Sequence, residues 1–139
     1  MQPIGADVLA HVHQLYGAQS RHIDEGRAAG WAATFTPNGE FRSPSYPEPA
    51  IGTTALVEFA ERFAAADRDA GARTRHVITN LVAEPAGPGA LTVHGYLQIV
   101  RTAAGESRLL RMTTFTDELV ADGGTWRVRR REVRRDDAR

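Results

Sequence analysis

The chain has 139 residues with seventeen basic and seventeen acidic side chains, a balance that exerts no electrostatic pull toward nucleic acid or an anionic membrane. It has no cysteine, which excludes disulfides, thiolate nucleophiles and cysteine-rich zinc sites. Every basic residue is an arginine, which excludes lysine Schiff bases and lysine general bases.

The length predicts one domain spanning 1–139, with residues 130–139 expected as a frayed C-terminal tail. No stretch approaches the roughly 18 consecutive apolar residues of a membrane span, and the start lacks the pattern of a secretory signal, so a cytoplasmic protein is expected. From Ala6 to about Ile23 the apolar positions Val8, Val12, Leu15, Tyr16 and Ile23 follow the period of an amphipathic helix. A second short helix is predicted to pair Trp31 with Phe35, stopped by "TPNG", and Phe41 opens a short extended segment. After the loop "SPSYPEPAIG", Thr53 or Thr54 is the expected N-cap of a third helix that turns Leu56, Phe59, Ala60 and Phe63 inward and ends at Gly71.

Strand patterns follow at about 74–83, 90–101, 107–120 and 125–134, separated by "EPAGPG", "AAGE" and "ADGG", which predicts an antiparallel meander. Helices first and strands afterwards is the α+β pattern. A strongly curved sheet around the helices would enclose a concave, mostly apolar cavity suited to a small molecule.

Within "RTRHVITNLV", alternation places His76, Ile78, Asn80 and Val82 on one face and Val77, Thr79 and Leu81 on the other. Both faces are mostly apolar, so the strand is expected to be covered twice, and a buried imidazole there needs a partner. The spacing of residues does not name that partner. Asn80 is expected either to satisfy a backbone group or to serve as a pocket donor. For His94 a cross-strand surface pairing is the simpler account, with a pocket role as the alternative. His11, His13 and His22 are read as helix-surface or helix-edge residues, not metal ligands. Asp117 is read as a strand-end or turn carboxylate. The closing "RVRRREVRRDDAR" is interrupted by acidic residues and reads as a solvated strand, not a nucleic-acid surface.

The segments "IDEGRAAGWAATFTPNGEF", "RHVITN" and "GGTWRVRRREV", in this order, resemble the SnoaL-like branch of the NTF2-like superfamily over nearly the whole chain. Asp24, Trp31, Phe35 and Phe41 match its opening motif, Arg75, His76 and Asn80 its middle motif, and Gly124, Trp126, Arg127, Val128 and one of Arg130 or Arg131 its closing motif. The resemblance implies an NTF2-like cone, with three N-terminal helices packed on a strongly curved, mostly antiparallel sheet. It also implies a catalytic Asp24–His76 pair and a cofactor-independent lyase, isomerase or cyclase reaction on a small, apolar, oxygenated ring substrate, aromatic or polycyclic, from a polyketide or other natural-product pathway.

Trp31, Tyr16, Tyr46, Phe41, Asn80, His94 and Arg131 are the residues expected to bind that substrate. The tyrosines of the fungal scytalone dehydratase have no counterparts here, where Ile23 and Phe41 stand, leaving Tyr46 or His94 to substitute. Whether Arg130 or Arg131 points into the cone depends on a bulge that sequence does not reveal. Homodimers or higher homo-oligomers through the open sheet face are a further implication. The alternative is an NTF2-like protein that binds a small ligand, or serves as a scaffold, without turnover.

Overall fold

The computed structural model describes residues 4–137. Three helices, α1 (Ala6–Asp24), α2 (Ala28–Ala33) and α3 (Thr53–Ala70), precede most of the sheet. The strands are β1 (Phe35–Arg42), β2 (Ala50–Ile51), β3 (Ala72–Pro85), β4 (Ala90–Ala103), β5 (Glu106–Asp122) and β6 (Thr125–Arg135). They form one six-stranded sheet in the order β2-β1-β6-β5-β4-β3. All pairings are antiparallel except β1 with β6, which is parallel. The fold is therefore α+β with a mostly antiparallel sheet, as the order of patterns predicts.

Helix α1 forms where its apolar period requires, burying Val12, Tyr16 and Ile23, with Gln19 buried beside them. Leu56, Phe59 and Ala60 of α3 and Trp31 of α2 complete the helical side of the core. They meet Leu91, Val93, Leu97 and Ile99 of β4, Phe115 and Leu119 of β5, and Val128 and Val133 of β6. Each such buried Leu, Val or Phe contributes about 1.5–3 kcal/mol relative to exposure.

Bulges bend this sheet into a cone, because an extra residue on one strand kinks it and increases its twist. On β3 the register shifts between Thr79 and Val82, with Asn80 at φ 56. That left-handed conformation is one asparagine tolerates better than most residues. On β5 and β6 the register shifts again between Glu118 and Leu119, where Glu118 faces Arg130 and Leu119 faces Val128.

Four local expectations are corrected. The second helix ends at Ala33, so Phe35 is the first residue of β1, although its ring still meets Trp31 edge-on with centroids 5.0 Å apart. Helix α3 starts from Gly52, at φ 88, without a side-chain cap, so Thr53 is its first residue rather than its cap. Gly71 does end it, in the left-handed conformation at φ 60. The expected frayed tail is strand as far as Arg135, held by β5; residues 138–139 lie outside the described part. β3 is covered on one face only, since Val77 and Val82 are 36% and 51% exposed.

Candidate active site

Asp24 is the last residue of α1 and His76 lies near the start of β3. The fold brings them together across 52 positions: Asp24 Oδ1 lies 2.6 Å from His76 Nδ1. Both carboxylate oxygens also accept the backbone N–H of His76, each at 3.1 Å. The ring and its own main chain are thus fixed by one carboxylate. The side chains are 13% and 5% exposed for His76 and Asp24, and the imidazole also packs on the Phe63 ring at 5.1 Å. A carboxylate holding Nδ1–H fixes the tautomer and leaves Nε2 as the free acceptor nitrogen.

His76 lines a small chamber inside the cone, with about 30 Å³ of free space. The chamber walls are aromatic and aliphatic: Trp31 of α2, Phe41 of β1, Phe59 of α3, and Leu97 and Val133 of the sheet. Hydroxyls of Ser43, Ser45, Tyr46 and Thr113 interrupt them, and Arg111 and Arg131 are its cations.

Arg131 is the inward arginine, and Arg130 is exposed. The bulge opposite the Glu118–Leu119 step decides this, because the extra residue, Arg129, shifts the alternation so that Val128, Arg131 and Val133 share the buried face. Buried arginine requires satisfaction, and here it is extensive. Nε and Nη2 donate to the two oxygens of Asp117 at 2.9 and 2.8 Å, and Nη2 donates to Gln19 at 2.7 Å. Tyr16 donates to the same carboxylate at 2.7 Å, and Gln19 donates to Thr34 at 2.8 Å. Nη1 has no partner among the described residues, on a side chain that borders the chamber. Burial, the largest single influence, pulls the guanidinium toward losing its proton, but the Asp117 charge, the hydrogen bonds to Asp117 and the contribution of Tyr16 together outweigh it and hold Arg131 in its charged form. Burial, reinforced by Asp117, pushes the Tyr16 phenol well above its ordinary value, so Tyr16 is a neutral donor.

The structure therefore gathers His76, Asp24, Trp31, Phe41, Tyr46 and Arg131 at one place. Four other expectations are corrected. Asn80 sits exposed on the β3 bulge, which breaks the alternation that would have carried it to the His76 face. His94 has no pocket role and makes the cross-strand surface pairing expected first: it is exposed on the outer face of β4, with Nδ1 3.2 Å from Oγ1 of its cross-strand partner Thr116. Tyr16 does not line the chamber but stands behind it, holding Asp117. Asp117 itself is fully buried in mid-strand, not a turn residue. Its position was open to period counting, since Arg111, Thr113, Phe115, Asp117 and Leu119 alternate onto one face. Gln19 carries no such signal, because a glutamine on an apolar helix stripe has no partner visible in the sequence.

Residues 6–132 match the SnoaL-like domain, and the chain belongs to that family. Aln2 from a Streptomyces species is 30% identical over 98% of this chain and 96% of its own, with a TM-score of 0.88. A protein from Catenulispora acidiphila, solved in complex with S-DNPA, is 28% identical over 96% of each chain, with a TM-score of 0.84. An NTF2-like protein with a cystatin-like fold from Novosphingobium aromaticivorans shares the fold at 17% identity, over 94% of this chain and 82% of its own, with a TM-score of 0.82. No curated protein matches the sequence. Among the described residues no helix is long and apolar enough to cross a membrane.

Proposed function

We propose that the chain is a cofactor-independent lyase, isomerase or cyclase in which His76, oriented by Asp24, removes an acidic proton from an oxygenated ring substrate of a polyketide or other natural-product pathway. The observation that carries this reading is the 2.6 Å contact between Asp24 and His76 at the wall of an apolar chamber. Nε2 takes a proton from the carbon beside a carbonyl, and the electron pair moves onto the carbonyl oxygen. Arg131, charged and rigidly held, stabilises the resulting enolate through Nη1. The imidazolium then returns its proton to a departing β-hydroxyl, to another ring carbon, or to the alkoxide left when the enolate attacks a second carbonyl. These endings are dehydration, isomerisation and aldol-type closure respectively. A positioned general base of this kind supplies about 10²–10⁴ in rate.

The ligand class is supported by the aromatic walls and by the relative crystallised with a small molecule, S-DNPA. Hydroxylated bicyclic ketones, incubated with the chain and followed by the ultraviolet absorbance gained when water is lost and the ring becomes aromatic, test the dehydratase form. Activity abolished by His76→Ala and by Asp24→Asn is the expected result. Binding without turnover in the unaltered chain would favour the non-catalytic reading.

We also infer assembly into homodimers or higher homo-oligomers through the outer face of β3 and β4. That face presents Val77, Val82 and Tyr96, the last 44% exposed, and a single chain leaves it uncovered.

A further inference from the structure

The chamber's 30 Å³ has room for a water or two, whereas a single benzene ring needs a cavity of the order of 150 Å³. A ring reaches His76 only if a wall moves. Next to the chamber lies an open groove of about 720 Å³, running between α3, the segment 46–50 and the facing parts of β4 and β5. Three residues border both spaces: Tyr46, Phe59 and Arg111. Phe59 is buried in α3, stacked on Trp31 at 5.5 Å and packed against Phe41 at 4.9 Å, so displacing it would open the core.

Tyr46 is differently placed. It belongs to the connection between β1 and β2, where Tyr46 N–H donates to Ser43 O at 3.3 Å and Ser45 N–H to Ser43 Oγ at 3.2 Å. Its half-buried ring packs against the rim of the core: edge-on to Phe59 at 4.8 Å, tilted to Phe41 at 6.3 Å, and under the Arg111 guanidinium at 5.9 Å, with its own segment exposed on both sides at Pro44 and Pro47. Arg111 has no carboxylate within ion-pair distance among the described residues, whereas its neighbour in the groove, Arg101, is tied to Asp67 at 3.3 Å. Glu48, Glu58 and Arg62 also line the groove, but Arg111 is the one charged groove residue that reaches the chamber as well.

We propose that chamber and groove are two compartments of a single site for a flat ligand of two or more fused rings carrying an acidic end, with Tyr46 as the movable partition and Arg111 as the receptor for the acid. When Tyr46 swings out, the ligand ring takes its place against Phe59, and Arg111, released from the phenol ring, meets the ligand carboxylate in a charge-assisted hydrogen bond. The proposal rests on the chamber being the ligand site and requires no particular reaction.

The test uses the chain with Trp126→Phe, which leaves Trp31 in the chamber wall as the one tryptophan. Binding of 2-naphthoate and of neutral 2-naphthol is measured by calorimetry, and access to Trp31 by acrylamide quenching. Arg111→Gln should weaken 2-naphthoate by about tenfold or more while moving 2-naphthol less than about twofold. Arg111→Lys should restore part of the loss. Tyr46→Ala should tighten both ligands and raise the quenching constant of Trp31 several-fold, with the circular dichroism unchanged.

The proposal is overturned if 2-naphthoate does not bind, if Arg111→Gln weakens both ligands equally, or if Tyr46→Ala leaves Trp31 as shielded as before. His76→Ala separates this from the catalytic reading. If it kept full turnover while naphthoate binding still followed Arg111, the reaction would be wrong and the two-compartment site right. Turnover lost with His76→Ala, together with naphthoate binding indifferent to Arg111, would leave the reaction standing and remove the two-compartment site.

Discussion

Asp117 and Arg131 face each other directly across β5 and β6 and share two hydrogen bonds of 2.9 and 2.8 Å, with side chains 0% and 4% exposed. Removing one member leaves the other charged and buried, which costs about 3–5 kcal/mol, whereas replacing both with apolar residues of similar size is often neutral. Asp117→Ala and Arg131→Met are therefore each expected to lower the urea midpoint sharply. The double variant Asp117→Leu/Arg131→Met should recover part of the loss, short of the whole because Tyr16 and Gln19 lose their buried partners, while losing the cation at the chamber wall. Equilibrium unfolding of the three variants checks this.

Tyr16 gives a pH dependence with a defined sign. Burial and the Asp117 charge raise the phenol well above its ordinary value, so the unfolded chain releases that proton at lower pH than the folded one. The stabilisation is fully present below the unfolded value of about 10 and is lost as pH rises beyond it. Tyr16→Phe should be less stable at neutral pH, by about 0.5–1.5 kcal/mol for the lost hydrogen bond, yet show a flatter alkaline limb. Thermal melts from about pH 8 to 11, spanning that value, give both slopes.

Gly95 is required by packing. A Cβ there would lie 2.7 Å from two ring atoms of Phe115 and 2.9 Å from Leu81 Cδ2. Phe115 cannot retreat freely, because Tyr16 lies 5.6 Å from it and the Arg131 guanidinium 4.9 Å above it. Gly95→Ala should cost about 1–3 kcal/mol as overpacking, read from the same unfolding curves.

Assembly through the sheet's outer face predicts that Tyr96→Glu, placing a charge beside Val82 and Val77, yields monomer by light scattering with unchanged circular dichroism. An oligomer of unaltered mass in that variant would remove the outer face as the interface.

Much of the architecture is legible in the sequence for a physical reason: period and turn chemistry act locally. The four-strand meander and α1 lie within a few residues of where those patterns predict them. What escapes is set by long-range pairing. The parallel partnership of β1 with β6 and the bulge at Arg129 have no local signature, and that bulge decides that Arg131, not Arg130, faces inward. Period counting puts Asn80 on the wrong face for the same reason, since a bulge cancels the alternation on which its placement depends. The Asp24–His76 pairing is expected only through family resemblance; the fold supplies the contact.

The decisive measurement is the exchange of acidic C–H protons into deuterium oxide, followed by proton NMR on 2-tetralone, a bicyclic ketone that needs no knowledge of the natural substrate. The unaltered chain should accelerate loss of the signals beside the carbonyl, and His76→Ala should reduce that acceleration by about 10²–10⁴, with Asp24→Asn reducing it in the same direction. Exchange that proceeds in both variants as fast as in the unaltered chain would contradict His76 as the base and Asp24 as the group that orients it.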